Sequence, residues 1–392
     1  MNNSKKMNAI ISLCSMSFIV LASSATSPAL SAIAKNFPDA SSVAVASIAT
    51  LSSLTALPFI LLSGQIVGKK ISFKALSVIG LIISTIGGFM PYFSSTIGQI
   101  LLGRALLGVG TGLLEPILSV LTLSLFEGKD IAKQFSRNMM STNTGAVIFQ
   151  LAGGSLCNIN WRMPFYVYLL IIPVAVIVLF LLPEPEKIVR EEYNQDGKHK
   201  ISEICTPHVI FWGVLHGLYM ACFYAYVTES SGIIVDNGYG DSFVVAIILS
   251  VFTACGVLGG YLFYPLNNKI GLKTMAVGFC LGLIGNIGLQ FANNISLYSV
   301  FTIIYGVGYG MLAPAISYYL GIKLNPTCRA SSVAIETLFL YLGSSGSPVM
   351  MSFFRNIFNS SWERFSFLIS MVFYLIVTLF FVAHKDSERS IV

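Results

Sequence analysis

Long apolar segments, separated by short polar turns, run through the whole sequence. Each segment is close to the roughly 20 residues that an α-helix needs to cross a hydrocarbon core of about 30 Å. The pattern predicts an all-α integral membrane protein with twelve transmembrane helices, or spans. The spans are expected near 8–34, 43–65, 72–93, 97–125, 137–158, 163–183, 208–231, 243–266, 272–292, 296–320, 330–353 and 364–383.

The composition narrows the class of protein. Of the 392 residues, 55% are hydrophobic and only 10% are charged, whereas about 25% of the residues of soluble proteins are charged. The seven cysteines are scattered, without the spacing of a metal site or a disulfide framework. The sequence has no P-loop, HExxH or GxSxG motif. We therefore expect no enzyme, no cofactor, no metal and no nucleic-acid partner, but a protein that works in membrane lipid and draws on an ion gradient.

Basic residues are distributed unequally between the two ends of the spans. With the amino terminus in the cytoplasm, 18 of the 23 Lys and Arg residues fall on the cytoplasmic side, in agreement with the positive-inside rule. Lys35, Arg162, Arg355 and Arg364 would lie outside, and Arg104 would lie within a span. We therefore expect a multi-pass protein of the cell membrane with both termini in the cytoplasm.

One polar stretch is much longer than the other turns. It covers 184–207, follows the sixth span and contains ten of the chain's charged residues. Such a stretch is typical of a linker. We predict a six-helix bundle over 1–183, a cytoplasmic linker over 184–207 and a second six-helix bundle over 208–392.

The two halves of the sequence contain an internal repeat. Residues 108–119 (GVGTGLLEPILS) align with residues 306–317 (GVGYGMLAPAIS) at a constant offset of 198, and seven of the twelve positions are identical. The two segments occupy the fourth span of each half and run in the same direction. This is the signature of parallel repeats related by an axis along the membrane normal, because a chance likeness of Gly-rich helices would not also match Pro and Ser.

Three short motifs link the sequence to a known family. Arg104 is followed on its helix by Gly108 and Gly110, Trp161-Arg-Met-Pro-Phe165 precedes the sixth span, and Gly145 on the fifth span is followed by a pair of glycines at 153–154. These motifs resemble those of the major facilitator superfamily and, within it, the twelve-helix drug/proton antiporter branch. The resemblance covers nearly the whole chain. It implies two six-helix bundles related by pseudo-twofold symmetry and a monomer that carries small organic molecules and protons.

Two motifs of that family are altered in this chain. Phe149 and Gln150 stand where the fifth-span antiporter motif has Gly-Pro, and Gly68 stands where the turn after the second span has Asp. The basic residues Lys69 and Lys70 of that turn are retained. The resemblance assigns conformational gating to Gly64, Lys69, Lys70, Gly145, Gly153 and Gly154.

Ionisable side chains inside a span are costly and usually face a cavity or a partner. On the fourth span Arg104 and Glu115 are eleven residues apart, which places them on one helix face about 16 Å apart, and Thr111 shares that face. Arg104 either packs against the carbonyls of neighbouring spans or, as the resemblance implies, couples proton and substrate. Glu115 is either a proton carrier or substrate contact, or a fixed hydrogen-bond partner.

Two further carboxylates could carry the proton. Glu336 lies in the inner part of the eleventh span, where it either titrates or makes a structural hydrogen bond. Glu229, at the outer end of the seventh span, is a second and weaker candidate, because an interfacial glutamate is commonly solvated. His216 adds a group of a residue type that titrates near neutral pH, although a membrane histidine often only packs.

Aromatic residues recur on one face of the seventh span. His208, Trp212, Tyr219, Phe223 and Tyr226 fall within about 60° of one another around the helix. They could pack against other spans or, with Tyr305 and Tyr309 of the tenth span, form a cavity wall for flat, apolar or cationic molecules. The predicted substrate contacts are Arg104, Thr111, Glu115, Tyr219, Phe223, Tyr226, Tyr305 and Tyr309.

Together these features predict a proton-coupled secondary transporter. The leading hypothesis is export of small apolar or amphipathic organic compounds in exchange for protons, by alternating access around the first, fourth, seventh and tenth spans. Glu115, Glu336, Arg104 and Glu229 are the predicted proton-coupling residues. One alternative is a proton symporter or exchanger for a specific organic anion, with Arg104 binding a carboxylate. Another is a lipid flippase.

Overall fold

The computed structural model describes residues 3–67, 71–126, 129–184, 205–322, 329–360 and 362–383. The chain divides into two compact units, Met1–Gly197 and Lys198–Val392. Apart from an isolated bridge between Val67 and Ile71, the regular structure in these ranges is helical. The predicted all-α class is therefore confirmed.

Six spans make up the first unit. A 3₁₀ segment interrupts the first span and another begins the sixth, and each contains a proline, Pro28 or Pro164. The elements are Asn3–Phe18, Ala22–Ala29 (3₁₀) and Leu30–Asn36 in the first span, Ser42–Ile66, Phe73–Phe89 with Met90–Phe93 (3₁₀), Ile97–Leu125, Lys129–Cys157, and Met163–Leu170 (3₁₀) with Ile171–Leu181 in the sixth.

The second unit also contains six long helices, which are the seventh to twelfth spans. They are Pro207–Asp236, Ser242–Ile270, Lys273–Phe291, Ile295–Ile322, Arg329–Ile357 and Phe365–Ala383. Ten spans of the described chain are long and apolar enough to cross a membrane. The fifth and eleventh are equally long, at 29 residues each, but more polar.

The fifth span differs most from its predicted bounds. The apolar pattern predicts a start at 137, whereas the helix begins at Lys129. Its additional turns carry polar side chains, and Asp130 accepts a hydrogen bond of 2.6 Å from Lys6 Nζ of the first span. The hydrophobic pattern locates only the part of a helix that lies in lipid, so it misses turns that extend into water and are held by ion pairs.

Several helices begin at a side chain that caps their first turn. Ser41, Ser72, Thr96 and Thr206 each accept a hydrogen bond from the backbone N–H three residues later, and Asp241 accepts from the backbone N–H groups two and three residues later. These residues satisfy N–H groups that have no partner within the helix. The short polar turns of the sequence therefore fix the ends of the spans.

Glycines of the fourth span allow two other helices to approach it closely. A Cβ atom at Gly108 would lie 2.1 Å from Thr55 Oγ1 of the second span, and one at Gly112 would lie 2.5 Å from Ala56 O. On the other side, a Cβ atom at Gly110 would lie 2.2 Å from Ser84 Oγ of the third span. The fourth span therefore packs backbone to backbone between the second and third spans.

The tenth span repeats this arrangement in the second unit. A Cβ atom at Gly306 would lie 2.8 Å from Phe252 O, and one at Gly310 would lie 1.7 Å from Gly256 O, both on the eighth span. Gly308 approaches the ninth span, where its Cβ atom would lie 2.8 Å from the carbonyl oxygen of residue 278. The 198-residue sequence repeat therefore has a structural basis, because corresponding glycines serve corresponding helix contacts in each unit.

Candidate functional site

Arg104 lies inside the first unit, with no exposed surface. Its Nε donates to Ile48 O of the second span at 2.8 Å, and its Nη2 donates to Ser23 O of the first span at 3.0 Å. Its Nη1 donates to the hydroxyl of Tyr168 on the sixth span. The guanidinium group also lies 5.6 Å from the centre of the Tyr168 ring, within cation–π range. One side chain thus joins four spans.

The partners of Arg104 decide what it can do in this conformation. All three guanidinium nitrogens are engaged, and no ion pair to Arg104 is found within the described ranges. The geometry is that of a buried cation neutralised by carbonyl and hydroxyl dipoles. Arg104 is thus positioned as a packing residue that a moving helix would have to release.

Glu115 and Thr111 occupy the same helix as Arg104 but differ from it in exposure. Both are partly exposed. Thr111 donates its hydroxyl proton to the Leu107 and Gly108 carbonyls of its own helix, and Glu115 has polar contacts of its own. The helix continues through Pro116. These two residues have exposed surface, whereas Arg104 has none.

A polar network between the fourth and fifth spans was not expected from the sequence. Asn138 Nδ2 donates to Thr122 Oγ1 at 3.1 Å, and Gln134 Nε2 donates to Asn138 Oδ1 at 2.8 Å. Nearby, the Thr142 hydroxyl donates to Ser17 O of the first span at 3.1 Å. The fifth span is polar because these side chains form hydrogen bonds with neighbouring spans. This polar character is the sequence signal that could have indicated the network.

In the second unit, two candidate residues that lie far apart in the sequence are in direct contact. His216 Nδ1 of the seventh span is hydrogen-bonded to Glu336 Oε1 of the eleventh span. Their side chains are only 4% and 5% exposed. The other ring nitrogen of His216 has no hydrogen-bond partner among the described residues. The pair is a buried acid and base in direct contact.

Close helix packing brings this pair together. A Cβ atom at Gly217 would lie 2.7 Å from Phe339 O of the eleventh span, and one at Gly343 would lie 1.9 Å from Gly217 O. The seventh and eleventh spans therefore touch through their backbones, immediately beside His216 and Glu336. Because the helix axes are so near, two short polar side chains can meet without water between them.

The aromatic face of the seventh span packs against the tenth span. The rings of Tyr219 and Tyr309 are stacked with centres 5.2 Å apart, and the Tyr219 hydroxyl donates to Tyr309 O at 2.7 Å. Phe223 lies 4.4 Å from the Tyr309 ring. Phe223 and Tyr309 are partly exposed, whereas Tyr219 is fully buried.

Two other predicted substrate contacts belong to the interior of the unit. Tyr226 and Tyr305 are fully buried. The Tyr226 hydroxyl is 3.2 Å from Thr302 Oγ1, and the Tyr305 hydroxyl is 3.2 Å from that of Tyr374. In this conformation Tyr219, Tyr226 and Tyr305 therefore form a second layer behind Phe223 and Tyr309. A sequence pattern gives the face of a helix but not the depth at which a side chain lies.

Glu229 is neither solvated nor isolated. Its Oε1 accepts a hydrogen bond of 2.7 Å from Arg355 Nη2 and another from the Ser366 hydroxyl. Its side chain is 16% exposed. These contacts link the end of the seventh span to the end of the eleventh and the start of the twelfth.

Among the gating candidates, two glycines mark a close contact of the first and fifth spans. A Cβ atom at Gly145 would lie 1.9 Å from Phe18 O, and one at Gly153 would lie 1.9 Å from Ala25 O. Gly154 is buried beside them, and Gly64 lies in the last turn of the second span. Lys69 and Lys70 lie outside the described residues.

The sequence also matches a known protein family. The sequence profile of the Major Facilitator Superfamily matches residues 12–348. The chain belongs to the major facilitator superfamily. It is therefore a multi-pass membrane transporter of small molecules and not an enzyme, and the twelve-helix fold predicted from the sequence is confirmed.

Curated relatives of this major facilitator protein are similar over most of its length. It is 26% identical to the Bacillibactin exporter of Bacillus subtilis (strain 168) over 414 aligned positions, covering 98% of each chain. It is 22% identical to the Quinolone resistance protein NorA of Staphylococcus aureus (strain COL), covering 76% of this chain and 77% of that protein.

Solved structures agree with this assignment. The nucleoside transporter NupG aligns with a TM-score of 0.78 at 14% identity, over 98% of this chain and all of that one. The D-xylose–proton symporter aligns with a TM-score of 0.70 at 16% identity, over 96% of both chains. At such identities these structures support the fold alone.

Proposed function

We propose that this transporter exports small, flat, apolar or amphipathic organic compounds, cations among them, in exchange for protons. The observation that carries the proposal is the buried contact between His216 and Glu336. A membrane protein rarely buries an acid and a base unless they move ions or fix a partner. The two relatives described above are named as an exporter and a resistance protein.

The charge of the pair gives it a coupling role. With neutral His216 and ionised Glu336 the pair carries one negative charge, and one added proton makes it neutral overall, whichever of the two residues holds that proton. A pair with no net charge is less costly to bury than a pair with a net charge. A cationic cargo near the pair stabilises the negative form instead. Proton and cargo therefore compete for the same charge, which is the thermodynamic requirement of an exchanger.

The cargo surface that we propose lies close to the pair along the seventh span. The His216 ring is 5.8 Å from that of Tyr219, which stacks on the partly exposed Tyr309 beside Phe223. Exposed aromatic faces bind flat apolar molecules by stacking and cations by cation–π attraction. Glu115 and Thr111 of the first unit are partly exposed, and for that unit they are retained as the proposed substrate contacts.

Arg104 is proposed to position spans rather than to bind cargo. Its nitrogens are committed to Ile48, Ser23 and Tyr168. A carboxylate substrate would have to displace those partners, which weakens the case for an exchanger of organic anions. We propose that the network stabilises one conformation of the first unit and breaks when that unit changes shape. The protein is proposed to act as a monomer in the cell membrane, with both termini in the cytoplasm.

Transport by the purified protein in liposomes tests the proposal. Ethidium, a planar cation, serves as cargo, and an imposed pH gradient serves as the driving force. We expect the gradient to drive ethidium against its concentration in wild type and in Glu229→Gln. We expect no driven flux in Glu336→Gln, although the variant keeps downhill exchange. Glu229→Gln is the matched control because it also removes a carboxylate that is bonded between spans of the second unit.

The same transport measurements can contradict the proposal. Proton coupling through this pair is wrong if Glu336→Gln and His216→Gln, recovered as folded protein, still accumulate ethidium in response to the gradient. If the ethidium flux responds to the pH gradient in neither wild type nor variant, the protein is a facilitated exchanger without proton coupling.

A further inference from the structure

A cavity lies at one end of the second unit, where the seventh span ends. Three turns form it: the one after the seventh span, the one after the ninth and the one before the twelfth. Its volume is about 690 Å³, within the range of sites for drug-sized molecules. It is lined by Asn237, Tyr239, Gln290, Phe291, Ala292, Asn293, Trp362, Glu363 and Arg364. The orientation predicted by the basic residues places it on the extracytoplasmic face.

Gln290 is the unusual residue of this lining. It is only 3% exposed, and neither its amide nitrogen nor its amide oxygen has a hydrogen-bond partner within the part of the chain that the structure describes. Buried amides are almost always bonded, since an unsatisfied donor or acceptor keeps its full desolvation cost. Neither atom is exposed at the cavity wall in this conformation, so a ligand reaches them when the side chain turns toward the cavity, and a ligand N–H would then satisfy the amide oxygen.

Arg364 does not make this cavity an anion site. Its Nη1 donates to the carbonyl oxygens of Leu289, Gln290 and Ala292 at 3.1, 3.0 and 2.6 Å, and its Nη2 donates to the Tyr239 hydroxyl at 3.3 Å. The guanidinium group is thus used to hold the turn after the ninth span. It fixes the backbone from which the Gln290 side chain extends, which pre-organises the amide.

The rim of the cavity has the opposite charge and two aromatic faces. Glu363 is exposed, and its Oε2 accepts a bond of 3.3 Å from Asn237 Nδ2. Trp362 is 49% exposed and Phe291 is 70% exposed. A carboxylate beside exposed aromatic rings attracts a cation that also carries a flat ring.

We propose that this cavity is a binding site for planar aromatic carboxamides that carry an amine cation. The carboxamide pairs with Gln290, the ring lies against Trp362 or Phe291, and the cation lies near Glu363. The site belongs to the turns of one unit and is separate from the pair of His216 and Glu336. It therefore does not depend on the proposed proton exchange.

Two drugs of nearly identical shape test the pairing with Gln290. Procainamide has an aromatic ring, a carboxamide and a tertiary amine, and procaine replaces the amide N–H with an ester oxygen. Binding to the purified full-length protein is measured by equilibrium dialysis. We expect procainamide to bind roughly fivefold to tenfold more tightly than procaine, because only procainamide has a carboxamide N–H that can donate to Gln290 Oε1.

Variants separate the parts of the site. Gln290→Met should weaken procainamide to the level of procaine and leave procaine little changed, whereas Glu363→Gln should weaken both by a similar factor. Glu336→Gln should leave the preference for procainamide over procaine unchanged, even where it abolishes driven flux, because the two drugs carry the same amine cation, so failure of this site and failure of the proposed exchange are distinguishable. Thermal unfolding of each variant checks that it is folded.

The proposal is overturned if wild type binds the two drugs equally. That comparison needs no variant and is unaffected by folding defects. It is also overturned if Gln290→Met is folded and keeps the preference, or if Tyr309→Ala, and not Gln290→Met, removes binding, since the drugs would then occupy the surface near the seventh span.

Discussion

The fourth and tenth spans are built alike but carry different chemistry. Both use three glycines at equivalent positions to pack between two neighbouring helices. At the position where the fourth span has Arg104 the tenth span has Thr302, and where the fourth has Glu115 the tenth has Ala313. The repeat therefore preserves helix packing, whereas the ionisable groups are specific to each unit.

The buried ionisable networks of the two units differ in the same way. Arg104 is a fixed cation bonded to carbonyls and a tyrosine. The network of the second unit joins an imidazole to a carboxylate. An arginine does not release its proton in proteins, whereas an acid and a base in contact can exchange one with water. This difference is why we assign positioning to the first network and proton exchange to the second.

The largest effect is expected from breaking the shared packing. Gly310→Ala would place a Cβ atom 1.7 Å from Gly256 O, and overpacking of backbone against backbone should cost about 3 kcal/mol or more. We expect little monodisperse protein after purification. Gly346→Ala is the matched control, since no described atom lies within 4 Å of its added methyl group. Equal yields of the two variants would show that the close approach is not required.

A smaller loss is expected at the position where the two spans differ. Arg104→Lys keeps the charge but cannot serve all three partners, so it should lower the free energy of unfolding by about 3 kcal/mol. Thr302→Val, at the equivalent position, removes only the contact with Tyr226 and should cost about 1 kcal/mol. Denaturant unfolding in mixed micelles measures both. The positioning role is wrong if the two variants are equally stable.

The aromatic layers of the second unit should separate binding from stability. Phe223→Ala should raise the KM for ethidium between about threefold and thirtyfold, because it removes a partly exposed ring that can stack on a cation. Tyr226→Phe alters a buried hydroxyl and should leave the KM unchanged while lowering stability by about 1 kcal/mol. A KM that rises in Tyr226→Phe instead would move the cargo surface into the second layer.

The smallest effect is expected at Asp130. The hydrogen bond from Lys6 lowers the pKa of the Asp130 carboxyl below its usual 3.8. A lowered folded-state pKa stabilises the fold above the unfolded pKa, and this contribution is lost only as pH falls through the folded value. The stability difference between wild type and Asp130→Asn should thus be constant from pH 5 to pH 8. A difference that changes with pH in that range, seen in thermal unfolding, would contradict it.

The sequence predicted the fold because lipid imposes one dominant constraint. A helix in a membrane must be apolar for about 20 residues, and this pattern located all twelve spans. The repeat at 108–119 and 306–317 predicted which glycines correspond. Both signals are local or periodic, so no knowledge of distant contacts was required.

The candidate site could be predicted only in part, because its contacts are distant in sequence. His216 and Glu336 are 120 residues apart, and nothing in either local sequence indicates that they touch. Glu229 was expected to be solvated, yet Arg355 pairs with it from 126 residues away. The depth of Tyr226 and Tyr305 likewise depends on the packing of neighbouring spans.

Counting protons during cargo binding tests the central claim most directly. Titration calorimetry of ethidium binding at one pH, in buffers of different ionisation enthalpy, gives the number of protons released. We predict that wild type releases about one proton per bound cation, that Glu229→Gln does the same and that Glu336→Gln releases none. Binding of ethidium to wild type without proton release, or release that persists in Glu336→Gln, would contradict the competition of proton and cargo at His216 and Glu336.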